Sequence, residues 1–218
     1  MSEVSMSRVN FYNENQVKAV FPYLRRPPSI LFLAGPGDGN EAQRFLQEFP
    51  KSSAFLFEPN EEMRVFQRQN GYKGLMSAAA LSDKVGKAQF TLGDVPRCSS
   101  MLRDCPGVKT EVGTLTIDYV FEQWKWSDGE LDVIKRAVLW IDVEGAELLV
   151  LKGSEKTLTD GGFQLINMEI LADERPDDVI EIEKIMDHHG FELAHSWNWR
   201  GARHDRIYTR RDKEARKV

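Results

Sequence analysis

Ala137-Val138-Leu139-Trp140-Ile141-Asp142-Val143-Glu144-Gly145-Ala146-Glu147 decides the fold. Five apolar residues in succession are too few for a helix and read as a buried strand. Two acids follow at once, so Asp142 and Glu144 should project from the strand's carboxyl end. Gly145 lets the chain turn close to a sheet, and residues 146–158 then read as a helix marked by Leu148, Leu151 and Leu158. In an open parallel sheet, ligands sit beyond the carboxyl ends of the strands. The acids of this segment therefore fall where chemistry is expected.

Working outward, the same pattern recurs. Ile30-Leu31-Phe32-Leu33-Ala34 runs into Gly35-Pro36-Gly37-Asp38-Gly39, a strand entering a glycine turn, with a helix over 41–48 stopped by Pro50. Ala54-Phe55-Leu56-Phe57 is a second strand closed by Glu58-Pro59-Asn60, before a helix ending near Gly71. Residues 75–81 predict a third strand, 88–92 a short extra one, 94–113 an irregular stretch, and 119–124 a helix, while 114–118 reads as a strand or a helix start. After the central segment, 163–170 is a fifth strand ending at Glu169 and 177–189 an amphipathic helix ended by Gly190. Residues 191–194 and 206–209 are the last two strands. Alternating strands and helices imply an α/β fold, a mostly parallel sheet with helices on both faces. One domain over 30–210 suits the length. Residues 1–29 form an N-terminal helical extension, with a helix over 13–24 as a flap or brace, and 211–218 a charged tail.

With 29 basic and 34 acidic residues mixed along the chain, the net charge is −5, and no bulk basic field for nucleic acid exists. No apolar run approaches a membrane span, and the polar N-terminus lacks a signal core. Cys98 and Cys105 have no paired metal-ligand spacing and read as reduced thiols of a cytoplasmic protein.

The glycines of the first turn, Gly35, Gly37 and Gly39, let a ligand approach the backbone, and the next helix offers free N–H groups. A nicotinamide fingerprint would place glycine where Asn40 stands. Glu58 follows Gly39 by 19 residues, near the distance at which an acid accepts hydrogen bonds from ribose hydroxyls. Each acid also has a plainer reading: Glu58 as a turn carboxylate, Glu144 or Glu147 as a partner for a helix N-terminus. Glu169 adds a third carboxylate to the edge formed by Asp142 and Glu144. These three are hard oxygen ligands for a divalent ion, although no metal site is predicted.

Together these residues resemble the FkbM family of class I methyltransferases. The matching features are Leu139 to Glu147 with Val150-Leu151-Lys152-Gly153, Phe57-Glu58-Pro59-Asn60, Ala79-Ala80-Leu81-Ser82-Asp83, Met168-Glu169-Ile170 and Gly190-Phe191, in order over residues 30–195. The resemblance implies a Rossmann-like, seven-stranded methyltransferase fold binding S-adenosylmethionine. Carried over, Gly35, Gly37 and Gly39 flank the methionine part, Glu58 holds the ribose, Ala80, Leu81 and Ser82 lie near adenine, and Asp142 lies near the reacting end. The family commonly has Asp at the position of Leu33 and Gly-Ala-Asn at Gly35-Pro36-Gly37; Asp38 is the residue here that could serve the cofactor's ammonium instead.

The expected activity is O-methylation of a sugar, glycolipid or secondary-metabolite hydroxyl. Asp142 and Glu144 are the candidate catalytic bases, with His204 behind them. Trp124, Trp126, Trp197 and Trp199 are candidates to stack on a sugar-like ligand, and Arg97, Arg200, Arg203 and Arg206 to hold an anionic one. A non-catalytic methyltransferase-like module and a nicotinamide oxidoreductase are the alternatives.

Overall fold

The structure, a computed structural model, describes residues 17–94, 99–103, 106–124, 131–200 and 203–211. Its main sheet has seven strands. In chain order these are β1 (Ile30–Ala34), β2 (Ser53–Phe57), β3 (Leu75–Ser77), β7 (Val138–Ile141), β8 (Leu165–Leu171), β9 (Phe191–Arg200) and β10 (Arg203–Arg210). Their spatial order is β3-β2-β1-β7-β8-β10-β9. The first five run parallel, and β10 is antiparallel to both its neighbours. A second sheet of three strands has the order β4-β6-β5, from β4 (Ala80–Leu81), β5 (Gly86–Gly93) and β6 (Gly107–Leu115).

The helices are α1 (Asn40–Glu48), α2 (Glu61–Gln69), α3 (Ile117–Gln123), α4 (Leu131–Lys135), α5 (Glu147–Lys152), α6 (Glu155–Thr159) and α7 (Pro176–His188). Side chains alternate across the sheet, so each face has its own core. On one face Phe32, Leu139, Ile166 and Tyr208 pack with Ile117, Val150, Leu158 and Ile182. On the other, Leu31, Leu33, Trp140, Leu165 and Ile207 pack with Ala42 and Phe45 of α1 and with Val17 and Val20. Apolar side chains of the N-terminal segment therefore close this second face; residues 17–20 are helical and lead into a 3-10 turn at Phe21–Tyr23.

Five sequence expectations are corrected. The stretch 75–81 is two strands in different sheets: Ser77 is the last residue paired with β2, Ala78 and Ala79 bend the chain away, and Ala80 begins the pairing of β4 with β6. The expected irregular stretch 94–113 contains most of β6, which pairs antiparallel with β5 from Gly107 to Thr114. Its alternating exposed residues have no apolar core to announce them. The helix expected over 146–158 is broken into α5 and α6 at Gly153, where a Cβ would lie 2.0 Å from the Ser82 carbonyl oxygen. Finally, Glu169 does not end its strand, since β8 continues to Leu171, and the last two strands run longer than the short apolar runs suggested.

Candidate functional site

Strand β1 has β2 on one side and β7 on the other, and β2 and β7 are reached by connections in opposite directions. That reversal opens a crevice at the carboxyl ends of the strands. Backbone hydrogen bonds bind these ends together beyond the ladders. The Glu58 N–H donates to the Ser77 oxygen at 3.1 Å, the Gly35 N–H to the Phe57 oxygen at 3.1 Å, and the Asp142 N–H to the Ala34 oxygen at 3.0 Å. Three predicted site residues, Gly35, Glu58 and Asp142, thus follow directly on adjacent strands.

Gly35 has φ +72, and a Cβ there would lie 1.8 Å from the Asp142 backbone oxygen. Any other residue would push the two strand ends apart. Gly37, at φ +48, faces open space, with nothing within 4 Å of an added Cβ. Gly39 caps α1 and packs on the Gln67 side chain. Gln67 is buried on α2, and its amide donates to the Gly37 oxygen at 2.6 Å. Its own carbonyl oxygen finds no hydrogen-bond donor among the described residues. Asp38 turns its carboxylate onto Asn40, accepting from the backbone N–H at 3.0 Å and the side-chain amide at 2.7 Å. Leu33 is fully inside the second core.

Glu58 is only 5% exposed. It accepts the Asn60 N–H at 2.8 Å and lies beside the Gly37 N–H. Burial pushes its carboxyl up to about 7, against the lowering effect of those amides and of Arg64. Asn60 caps α2 by accepting from the Glu62 N–H. The turn reading and the ligand reading of Glu58-Pro59-Asn60 therefore coexist: Asn60 makes the turn, and Glu58 is left inside the crevice.

At the end of β7, the carboxylates of Asp142, Glu144 and Glu169 lie within 4.8 Å of one another. Burial, then the charges of Glu169, Glu144, Glu41 and Asp205, hold the Asp142 carboxyl well above the usual carboxylate range. Glu144 is different. It adopts φ +53, rare for a residue with a side chain, and it is held from two sides. The Ser100 hydroxyl donates to its backbone oxygen and Arg103 to its carboxylate, both at 2.7 Å; Arg103 also reaches Glu174 at 3.0 Å. Ser100 joins the small sheet through its bridge to Thr91, so that sheet fastens the loop after β7. Glu147 accepts the Gly145 N–H at 2.9 Å and is buried, which raises it to about 7. It braces the loop that leads into α5.

Ala80, Leu81 and Ser82 are all buried. Leu81 packs in the first core with Ala34, Phe57 and Ile141, while the Ser82 N–H donates to the Leu115 oxygen at 2.8 Å and its hydroxyl to Asp83 at 3.1 Å. Trp124 stacks on Phe55, with ring centroids 5.2 Å apart, as a core residue. Arg206 pairs with Glu183 at 2.8 Å and is not placed to await an anion. His204 pairs with Ile170 and leaves the opposite face from Asp205, away from the acids. Cys98, Cys105, Trp126, Arg97 and the tail 212–218 lie outside the described residues, as do the side chains of Trp199, Arg200 and Arg203. Sequence reasoning missed Asp205, a buried acid opposite Glu169 on β10. Its signal was an acid inside an alternating strand pattern, hidden by the arginines around it. Among the described residues no helix is long and apolar enough to cross a membrane.

The model for the methyltransferase FkbM domain matches residues 37–193. The 2-O-methyltransferase NoeI of Sinorhizobium fredii is 29% identical over 165 residues, 67% of this chain and 65% of NoeI. The match thus spans less than two thirds of that relative. A methyltransferase FkbM structure from Methylobacillus flagellatus aligns with a TM-score of 0.54 at 12% identity, over 84% of this chain and 44% of that one. The fibrillarin pre-rRNA processing protein of Methanococcus jannaschii aligns at 0.51 with 10% identity, over 92% and 76%. At these identities the structural likeness is one of fold.

Proposed function

This chain belongs to the methyltransferase FkbM domain family, and from that premise we propose that it is an S-adenosylmethionine-dependent O-methyltransferase acting on a hydroxyl of a sugar-containing small molecule. One observation carries the reading: the glycine loop, the buried Glu58 and Asp142 converge at the ends of three adjacent strands on the crevice side. The residues present fit the cofactor. Open space faces Gly37, a desolvated carboxyl lies beside it to accept ribose hydroxyls, and the Gln67 carbonyl beneath the loop lacks a donor. Ala80, Leu81 and Ser82 are assigned to the adenine side on the family resemblance. The relative named a 2-O-methyltransferase supports oxygen as the acceptor atom.

S-adenosylmethionine supplies a methyl group already activated on a sulfonium. The chain's task is to orient a hydroxyl, exclude water and take up its proton. Asp142 is the base: it follows β7 directly with its backbone against Gly35 of the glycine loop, and its carboxyl binds protons more tightly than that of an ordinary aspartate. Glu144 is a positioning residue, because its carboxylate is already engaged by Arg103.

A second reading, a binding module without catalysis, is favoured by one specific observation: Leu33 stands where the family commonly has Asp, and Asp38 is turned onto Asn40. A thermal-shift comparison separates the two. S-adenosylmethionine and S-adenosylhomocysteine should stabilise the chain, NAD should not, and Glu58→Ala should lose most of the shift. A wild-type chain indifferent to both sulfur ligands would end the methyltransferase reading.

A further inference from the structure

Gly35, Gly37 and Gly39 all take positive φ, a conformation that a glycine-rich chain also leaves readily. Something must therefore hold the loop. Its two ends are tied by the backbone. The Gly35 N–H donates to the Phe57 oxygen, the Gly39 N–H to the Pro36 oxygen at 2.7 Å, and the Gln43 N–H to the Gly39 oxygen at 3.1 Å as α1 begins. The Asp38 carboxylate is engaged by Asn40. The middle is held by a side chain. The Gly37 oxygen accepts the Gln67 amide at 2.6 Å, and an added Cβ on Gly37 would meet nothing within 4 Å.

Gln67 is fully buried in α2. A Cβ on Gly39 would lie 3.0 Å from its Cγ, so glycine at that position makes the room that Gln67 fills. A buried amide side chain is costly unless it is bonded, and the Gln67 oxygen has no donor among the described residues. The bond to Gly37 is thus what this buried side chain contributes. That bond also sets a direction. The peptides here are trans, and in a planar trans peptide the carbonyl and the following N–H point opposite ways. With the Gly37 oxygen drawn onto Gln67, the Asp38 N–H points away from α2. It makes no hydrogen bond among the described residues.

Resting on the methyltransferase reading, we propose that Gln67 is a positioning residue for the cofactor: by holding the Gly37–Asp38 peptide it presents the Asp38 N–H to the carboxylate of the methionyl group. Gln67 itself touches no ligand. A flipped peptide would turn the Gly37 oxygen toward that carboxylate, so two acceptors would meet where a donor is required. A backbone N–H bound to a carboxylate is a charge-assisted bond, stronger than a neutral one. A peptide already set in the ligand-free chain removes an ordering cost from binding. The preceding N–H, that of Gly37, lies beside Glu58. Successive peptides of the loop then serve the ribose acid and the carboxylate in turn.

The test compares S-adenosylhomocysteine with its decarboxylated analogue, which keeps the adenosine, thioether and amine and lacks only the carboxylate. Gln67→Met preserves the length of the side chain and removes the donor. By calorimetry it should weaken S-adenosylhomocysteine by about tenfold and the analogue by less than about twofold. Equal losses for the two ligands would make Gln67 a structural residue only, and an unchanged affinity for S-adenosylhomocysteine would leave it no role in binding; either result overturns the proposal. A second measurement needs no variant and decides the matter if Gln67→Met does not fold. In isotope-labelled wild type, the Asp38 amide proton should move downfield on adding S-adenosylhomocysteine and stay in place with the analogue. The same response to both ligands, or none to either in a chain that binds them, would overturn the proposal and leave the methyltransferase reading standing. No S-adenosylhomocysteine binding by wild type would end both.

Discussion

Glu147→Gln offers a direct measure of how the loop after β7 handles buried charge. Glu147 opens α5, is 4% exposed, and gives one oxygen to the Gly145 N–H. Burial, with Glu169 and Glu144 nearby, raises its carboxyl from 4.5 to about 7. Between those values the folded chain holds a proton that the unfolded chain has released. The stability from this group is therefore fully present below about pH 4.5 and is lost as pH rises through 7. The gap of about 2.5 units, at about 1.4 kcal/mol each, amounts to about 3 kcal/mol in total. Glutamine keeps a carbonyl for the Gly145 N–H and removes the titration. The stability of the variant relative to wild type should shift in the variant's favour by about 2 kcal/mol between pH 5 and pH 8. Urea unfolding at the two pH values, followed by tryptophan fluorescence, measures it. Glu58, also raised to about 7, titrates in both proteins and cancels from the difference. A difference independent of pH, or one that moves in favour of wild type on raising pH, would refute the argument.

Three further outcomes are expected. Gly35→Ala drives a methyl group into the Asp142 carbonyl and should prevent folding or cost more than about 3 kcal/mol in thermal unfolding, whereas Gly37→Ala meets open space, should cost about 1 kcal/mol for its positive φ, and should chiefly weaken S-adenosylhomocysteine binding by calorimetry. Arg103→Met removes the Arg103 guanidinium from the buried Glu144 carboxylate and should destabilise by about 3 kcal/mol; adding Glu144→Gln should recover most of the loss in a double-mutant cycle of denaturant unfolding, and additive losses would show that the pair is not coupled. Asp142→Asn should lower kcat by about a hundredfold or more and keep S-adenosylhomocysteine affinity. In wild type kcat/KM should climb with pH as the raised Asp142 carboxyl loses its proton, and the variant should lack that limb.

The parts of this fold that were legible in the sequence are those where burial dictates residue type. β1 and β7 are buried on both faces and therefore read as continuous apolar runs, and β8 is apolar except at Asn167 and Glu169. β6 is mostly exposed along its length and pairs only within a small outer sheet, so its composition matches that of a loop. The candidate site was legible wherever a residue directly follows a buried strand, as Gly35, Glu58 and Asp142 do. Groups brought in from a distance were not. Arg103 reaches Glu144 across 41 positions, and Asp205 meets Glu169 only because β10 runs antiparallel into the sheet. The tryptophans make the same point. Trp124 and Trp197 are alike as residues, yet pairing places one on Phe55 in the core and the other opposite Asp205.

The acids near the strand ends also account for Leu33. Leu33 pairs with Trp140, one step below Gly35 and Asp142 on the acidic side of the sheet. An aspartate there would be a buried carboxylate in a layer that already answers to Asp142, Glu169, Asp205 and Glu41. An apolar residue at position 33 thus limits the repulsion beneath the site, while the glycine loop and Glu58 are left to hold the cofactor. Leu33→Asp tests the trade. Restoring the family's acid should not tighten S-adenosylhomocysteine, and it should destabilise the fold by about 3 kcal/mol or more at pH 8. Because a buried aspartate has its pKa raised, the loss should shrink as pH falls toward 5. A variant that binds S-adenosylhomocysteine at least tenfold more tightly with unchanged stability would show instead that the loop lacks an ammonium partner and that Leu33 marks a weakened cofactor site.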